Sequence, residues 1–202
     1  MKNTNGVKSG IASKAALLLV VVLALVRVGF CQDSLHVVVH TELGEIQIEL
    51  FPDCAPITVA NFMAYVASDA YTYSHFFRVC NARNEAEREI RIEVIQGGDI
   101  PDSLLRVPIQ LETTKQTGLL HKDGTVSMAR SEPNSAQSSF FICIGDQPEL
   151  DFGGKRNPDG QGFAAFGKVI RGMDVVQRIQ QLPDQDQYLL DPVAIRSIKR
   201  LE

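Results

Sequence analysis

Residues 35–50 read LHVVVHTELGEIQIEL, and this stretch decides the fold. Val37 and Val39, then Ile46, Ile48 and Leu50, alternate with other residues on either side of Glu42-Leu43-Gly44-Glu45. Alternation with a period of two puts every second side chain on one face of a strand, so the spacing predicts a β-hairpin with one buried face. Downstream, Pro56 suits the first turn of a helix, where its missing N–H costs nothing, and Val59, Phe62, Tyr65 and Val66 repeat at helical spacing. Further strands are expected at 76–79, 92–96, 107–111, 125–129, 139–144, 164–170 and 193–199. A second helix is expected at 173–181, where Val176 and Ile179 share a face. Many short, evenly spaced strands with only two helices argue for a closed antiparallel barrel capped by the helices.

The chain has 202 residues, 45% hydrophobic and 22% charged, which excludes a disordered or collagen-like polymer. That length suffices for one domain with a sizeable core. From Gln32 onward, 16 basic residues face 24 acidic ones, so the electrostatic footprint of a nucleic-acid binder is absent. Residues 80–91 (CNARNEAEREIR) form a charged insert, expected to be a solvated loop or a short helix.

The first 31 residues differ in kind. Lys2, Lys8 and Lys14 precede the apolar run AALLLVVVLALV at 15–26, with no acidic residue before Asp33. About a dozen apolar residues is short for a bilayer span and fits the apolar centre of an export signal. Gly29 and Cys31 are small residues suitably placed for a cut before Gln32, giving residues 1–31 as a signal peptide and 35–202 as the working domain. Two other readings stay open: membrane anchorage by retained residues 15–26, and anchorage by a lipid on Cys31. All three place the domain in an exported compartment, where disulfides are permitted. A Cys54–Cys80 bond is therefore open, whereas Cys143, inside FFICI, reads as a small buried hydrophobe.

No nucleophile elbow, phosphate-binding loop, HExxH or paired-glycine dinucleotide motif occurs, and no Cys/His spacing suggests a metal site. What remains is a set of ordered segments: SHFFRV at 74–79, VIQGGD at 94–99, GTVSMAR at 124–130, SSFFICIG at 138–145 and FAAFGKV at 163–169, preceded by LGEIQIELFPDCAPITVANF at 43–62. Together they resemble the cyclophilin family of peptidyl-prolyl isomerases, from about Leu35 to Glu202.

The resemblance implies an eight-stranded closed antiparallel barrel capped by two helices, acting as a monomer on proline-containing polypeptides without cofactor or metal. The implied catalytic residues are Arg78, donating to the prolyl nitrogen, Gln96, positioning the arginine and the substrate carbonyl, and Phe141, flooring the proline pocket. Val94, Ala129, Arg130, Leu150 and Phe163 are implied to line the substrate site. Arginine suits the donor role because it stays charged and presents its N–H groups in a fixed fork.

The departures are concentrated at the rim. Glu93 and Val94 stand nearest the Phe-Met pair that usually precedes QGGD, after a longer loop. Ser139 replaces a glutamine, Arg130 an asparagine, Glu149 falls near the rim tryptophan and Phe163 at the rim histidine. The tryptophan's loss predicts weak binding of cyclosporin-like ligands. The changed rim also leaves open a second function, a module that grips proline-containing segments with little turnover.

Overall fold

Val37, Val39, Ile46, Ile48 and Leu50, the five residues of the opening alternation, are all fully buried. They belong to β1 (Leu35–Thr41) and β2 (Gly44–Leu50), paired antiparallel with Val37 opposite Ile48 and Val39 opposite Ile46. The turn between them is tied by Thr41, whose Oγ1 donates to the Gly44 carbonyl at 2.8 Å and accepts from the Leu43 N–H at 3.1 Å. This computed structural model describes residues 35–201, so the export-signal, anchor and lipid readings of residues 1–31 lie outside the described residues.

Seven further strands follow: β3 (His75–Cys80), β4 (Val94–Gly97), β5 (Thr125–Met128), β6 (Phe140–Cys143), β7 (Ala164–Arg171), β8 (Asp184–Gln185) and β9 (Tyr188–Arg200). Their order is β1-β2-β7-β5-β6-β4-β3-β9, every pairing is antiparallel, and β9 returns to β1. Eight strands therefore close on themselves and no sheet edge is left around the ring. The two-residue β8 adds only to β9, as the short arm of a hairpin.

Helix α1 (Pro56–Ala67) buries Val59, Phe62, Tyr65 and Val66 in the same core as the barrel. Its N-terminal residue Ala55 offers no side-chain cap; instead Glu112, more than fifty residues away, accepts from the Ile57 and Thr58 N–H groups and from Thr58 Oγ1. A carboxylate there satisfies otherwise unpaired donors and opposes the positive end of the helix. Phe62 meets Tyr71, Phe140 and Phe166 at centroid separations of 5.2–5.6 Å, joining the helix to β6 and β7. A four-residue helix, α2 (Thr114–Thr117), has a capping box between Thr113 and Gln116. Helix α3 (Met173–Gln180) buries Val175, Val176 and Ile179 against β2, β3 and β4. The expected barrel with two substantial helices is the observed architecture.

One local expectation is corrected and two open ones are decided. Residues 107–111 are not a ladder strand: Pro108 lacks the N–H that a ladder requires, Val107 is 82% exposed, and Ile109 makes a single bridge to Ala136. The insert at 80–91 is a run of turns rather than a helix, and although most of it is solvated, Glu85 within it is fully buried. Cys80 and Cys143 are free, buried thiols, so the Cys54–Cys80 bond is not formed.

Candidate active site

The ladder register assembles the site. Arg78 lies opposite Gln96, Gln96 opposite Phe141, and Phe141 opposite Ser127; one row along, Cys80 lies opposite Val94 and Val94 opposite Cys143. Neighbouring residues of different strands share a face, so these side chains form a grid across β3, β4, β6 and β5. Phe76, Val79, Ile95, Phe140 and Ile142 point the other way, into the barrel, and are fully buried. A bulge between Phe76 and Arg78 shifts the parity of β3. Without that extra residue Arg78 would share the inward face of Phe76.

On the outer face, Cys80, Ile92, Val94, Phe141, Cys143 and Leu150 form a second, smaller apolar cluster, with Ala129 and Phe163 packed against it. Above it lies a pocket of about 180 Å³. All eight residues expected from the sequence line it: Arg78, Gln96, Phe141, Val94, Ala129, Arg130, Leu150 and Phe163. Ile92 and Arg156 complete the lining, and the sequence reading had neither. Glu93 turns away, accepting from Gln180 Nε2 at 3.1 Å, and Glu149 is outside the lining, accepting from the Lys155 N–H. Ser139 faces an adjoining cavity of about 360 Å³, which shares Gln96, Ala129 and Arg130 and is acidic at Asp99 and Asp102.

Phe141 forms the floor. Phe163 meets it edge-on at 5.4 Å, and His121 stacks beneath it at 5.9 Å with planes only 15° apart. His121 Nδ1 is 2.7 Å from Asp151 Oδ1 and its Nε2 is 3.0 Å from Ser127 Oγ. The three residue types match a nucleophilic triad, but Ser127 is fully buried and no substrate reaches its hydroxyl. The arrangement orients His121 under Phe141 instead.

The two rim arginines are committed to protein partners. Arg130 donates to Gly162 O and to both oxygens of Asp159 while lying over the Phe163 ring, with its carbon Cζ 5.2 Å from the centroid. Its hydrogen bonds hold the Asp159 carboxyl below the ordinary range. Arg156 forms a two-point pair with Glu85 and donates to Ile90 O. Arg78 differs: Nη1 donates to Gln96 Oε1 at 2.8 Å, and Nε and Nη2 donate to Gln187 Oε1, so its partners are neutral amides. Three of its five N–H groups are used, and among the described residues the other two meet no acceptor. The arrangement thus presents an uncompensated cation with N–H groups to give, beside an apolar cleft.

Residues 36–200 match the family described as cyclophilin type peptidyl-prolyl cis-trans isomerase. A peptidyl-prolyl cis-trans isomerase of Acinetobacter baylyi is 39% identical over 148 residues, covering 71% of this chain and 70% of that one. Peptidyl-prolyl cis-trans isomerase B of Escherichia coli is 36% identical over 146 residues, covering 70% and 81%. A crystal structure of a Cryptosporidium parvum cyclophilin superposes with a TM-score of 0.67 at 24% identity, over 84% of this chain and 99% of that one. The same protein determined in the presence of the dipeptide Ala-Pro gives 0.65 at 23% identity. The barrel, the ordered motifs and these matches together establish that the chain belongs to the cyclophilin-type peptidyl-prolyl cis-trans isomerases.

Proposed function

We propose that this isomerase seats a proline ring on Phe141 and uses Arg78 to donate a hydrogen bond to the prolyl nitrogen during rotation about the X-Pro bond. The uncatalysed rotation faces a barrier of about 20 kcal/mol, because the amide C–N bond has partial double-bond character. As the bond twists, the nitrogen becomes pyramidal and acquires a lone pair, and a donor aimed at that lone pair stabilises the twisted state more than the planar one. Gln96 holds the guanidinium on one side, and Val94, Ala129, Leu150 and Phe163 provide dry apolar walls. Rotation breaks no bond, so the reading calls for neither cofactor nor metal.

The observation that carries this reading is the Arg78 guanidinium, held by neutral amides alone at the edge of an apolar-floored pocket. The Cryptosporidium parvum relative, determined with a proline dipeptide, supports proline-containing peptides as the substrate class. The reading takes the isomerase as a monomer, the state that the family resemblance implies. The basic, then apolar leader at 1–31 supports a role in folding exported proteins, whether that leader is cleaved or holds the domain at a membrane.

The test is the cis-to-trans rate of a proline-containing peptide with the full chain and with Arg78→Ala. Acceleration that falls by about a hundredfold in the variant is expected, the usual loss when one preorganised donor to a transition state is removed. The second reading, a proline-peptide binder with little turnover, draws on the rim arginines Arg130 and Arg156, whose hydrogen bonds are spent on the protein. A wild-type chain that binds the peptide without accelerating it would decide for that reading.

A further inference from the structure

Gln187 lies in the turn of the β8–β9 hairpin, and Tyr188 opens β9. The hairpin's two-residue turn is Asp186-Gln187, and both have left-handed backbone, with φ of 52° and 76°. Such turns favour Asn or Asp followed by Gly; a glutamine at the second position is strained. Left-handed non-glycine residues persist where the surroundings over-determine them. Here the surroundings do so through the side chain, which is buried beneath the turn.

The Gln187 amide has one permitted orientation. Its Oε1 accepts from Arg78 Nε at 3.0 Å and from Arg78 Nη2, and its Nε2 donates to Glu85 Oε1. Turning the amide over would set NH₂ against guanidinium N–H groups and oxygen against a carboxylate. Glu85, from the insert between β3 and β4, is itself pinned by Arg156, from a second insert at 153–162 (GGKRNPDGQG) between β6 and β7, and by Arg88 Nε at 3.2 Å. The backbone of the turn is fixed as well, because Gln187 O accepts from the Val79 N–H at 2.8 Å.

Building on the isomerase reading, we infer that Gln187 is a positioning residue for Arg78, and that Glu85 and Arg156, brought by the two inserts, lock its amide so that the guanidinium stays aimed into the proline pocket. A carboxylate in place of Gln187 would neutralise Arg78 and compete with a substrate nitrogen for its protons. The amide accepts from Arg78 and donates to Glu85, so it links the two without lending Arg78 the carboxylate's charge. The inserts, outwardly solvated loops, thereby act on the reaction through Glu85, behind Gln187, and through Arg156, at the pocket's edge.

The experiment uses the full chain, wild type and Gln187→Met, which keeps length and loses the side chain's hydrogen bonds with Arg78 and Glu85. Turnover at saturating peptide is expected to fall about tenfold, the usual loss when a group supporting a catalytic side chain is removed, while peptide affinity stays within about twofold. In labelled protein the Arg78 Nε–H resonance should shift and broaden, and in an Arg78→Ala background Gln187→Met should change the residual rate no further. If Gln187→Met does not fold, Gln187→Glu carries the same test, with turnover again reduced because the carboxylate holds Arg78. A wild type that accelerates the peptide and a folded variant that matches it would overturn the positioning role and leave the isomerase reading standing. A wild type without acceleration would overturn both. An unmoved Arg78 resonance with a lower melting temperature would reduce Gln187 to a structural residue.

Discussion

Gln96 lies directly opposite Arg78 on the β3–β4 ladder and accepts from its Nη1 at 2.8 Å, so one strand pairing sets the aim of the guanidinium. Gln96→Leu removes that acceptor without emptying the site. We expect kcat/KM for a proline peptide to fall by about tenfold, given that a hydrogen bond to a charged group contributes roughly 1.5–3 kcal/mol. A protease-free rate measurement by exchange NMR checks this.

Phe141 is 5% exposed, wedged between Phe163 and His121. Phe141→Ala should destabilise the barrel by about 3 kcal/mol, as large-to-small core changes do, and weaken proline-peptide binding at least as much as it slows turnover. Urea unfolding and peptide titration separate the two effects. Unchanged peptide affinity in a folded variant would remove Phe141 as the floor of the proline seat.

Glu85 and Arg156 join the two inserts inside the protein. Glu85→Ala leaves Arg156 without its carboxylate and Gln187 Nε2 without its acceptor, an expected cost of about 3 kcal/mol. Adding Arg156→Met to that variant should recover part of the loss, because the stranded charge is gone. Urea midpoints for the wild type, both single variants and the double variant decide it.

Asp184 supplies a pH dependence. Burial pushes its carboxyl upward, but hydrogen bonds from Asn84 and Arg83 outweigh burial and leave it below its ordinary value of 3.8. A carboxyl lowered in the folded state stabilises the protein at neutral pH, and that stabilisation drains away as pH falls below the unfolded value toward the folded one. Asp184→Asn should therefore be less stable than wild type at pH 7, with the difference shrinking toward pH 3. Parallel urea titrations at the two pH values read the convergence.

Cys80 sits beneath Arg78, yet it is not an activated thiol: burial raises it to about 11, outweighing the lowering by the Arg78 charge. Burial raises Cys143 still further. In the native protein both should resist a thiol-titrating reagent over hours and react promptly in denaturant. Rapid native labelling at Cys80, located by mass spectrometry, would mean that the outer cluster opens to solvent.

Alternation at Val37–Val39 and Ile46–Leu50 and the helical spacing of Val59 to Val66 make the barrel legible in the sequence, and the family resemblance carried by the ordered motifs implies eight of the ten pocket residues. These are local signals: a strand's period or a motif's order is written in neighbouring residues, and burial follows from it. Pro108 is an equally local signal, and its missing N–H argues against a strand at 107–111. Ile92 was within reach too, since it shares strand parity with Val94. Glu85, Arg156 and Gln187 were not. They lie 71 and 102 residues apart along the chain, in charged or polar segments that look like solvated loops. A carboxylate belongs in the interior only when a guanidinium arrives from elsewhere to meet it, and only the closed barrel, by bringing two inserts and a hairpin turn to one face, created that meeting.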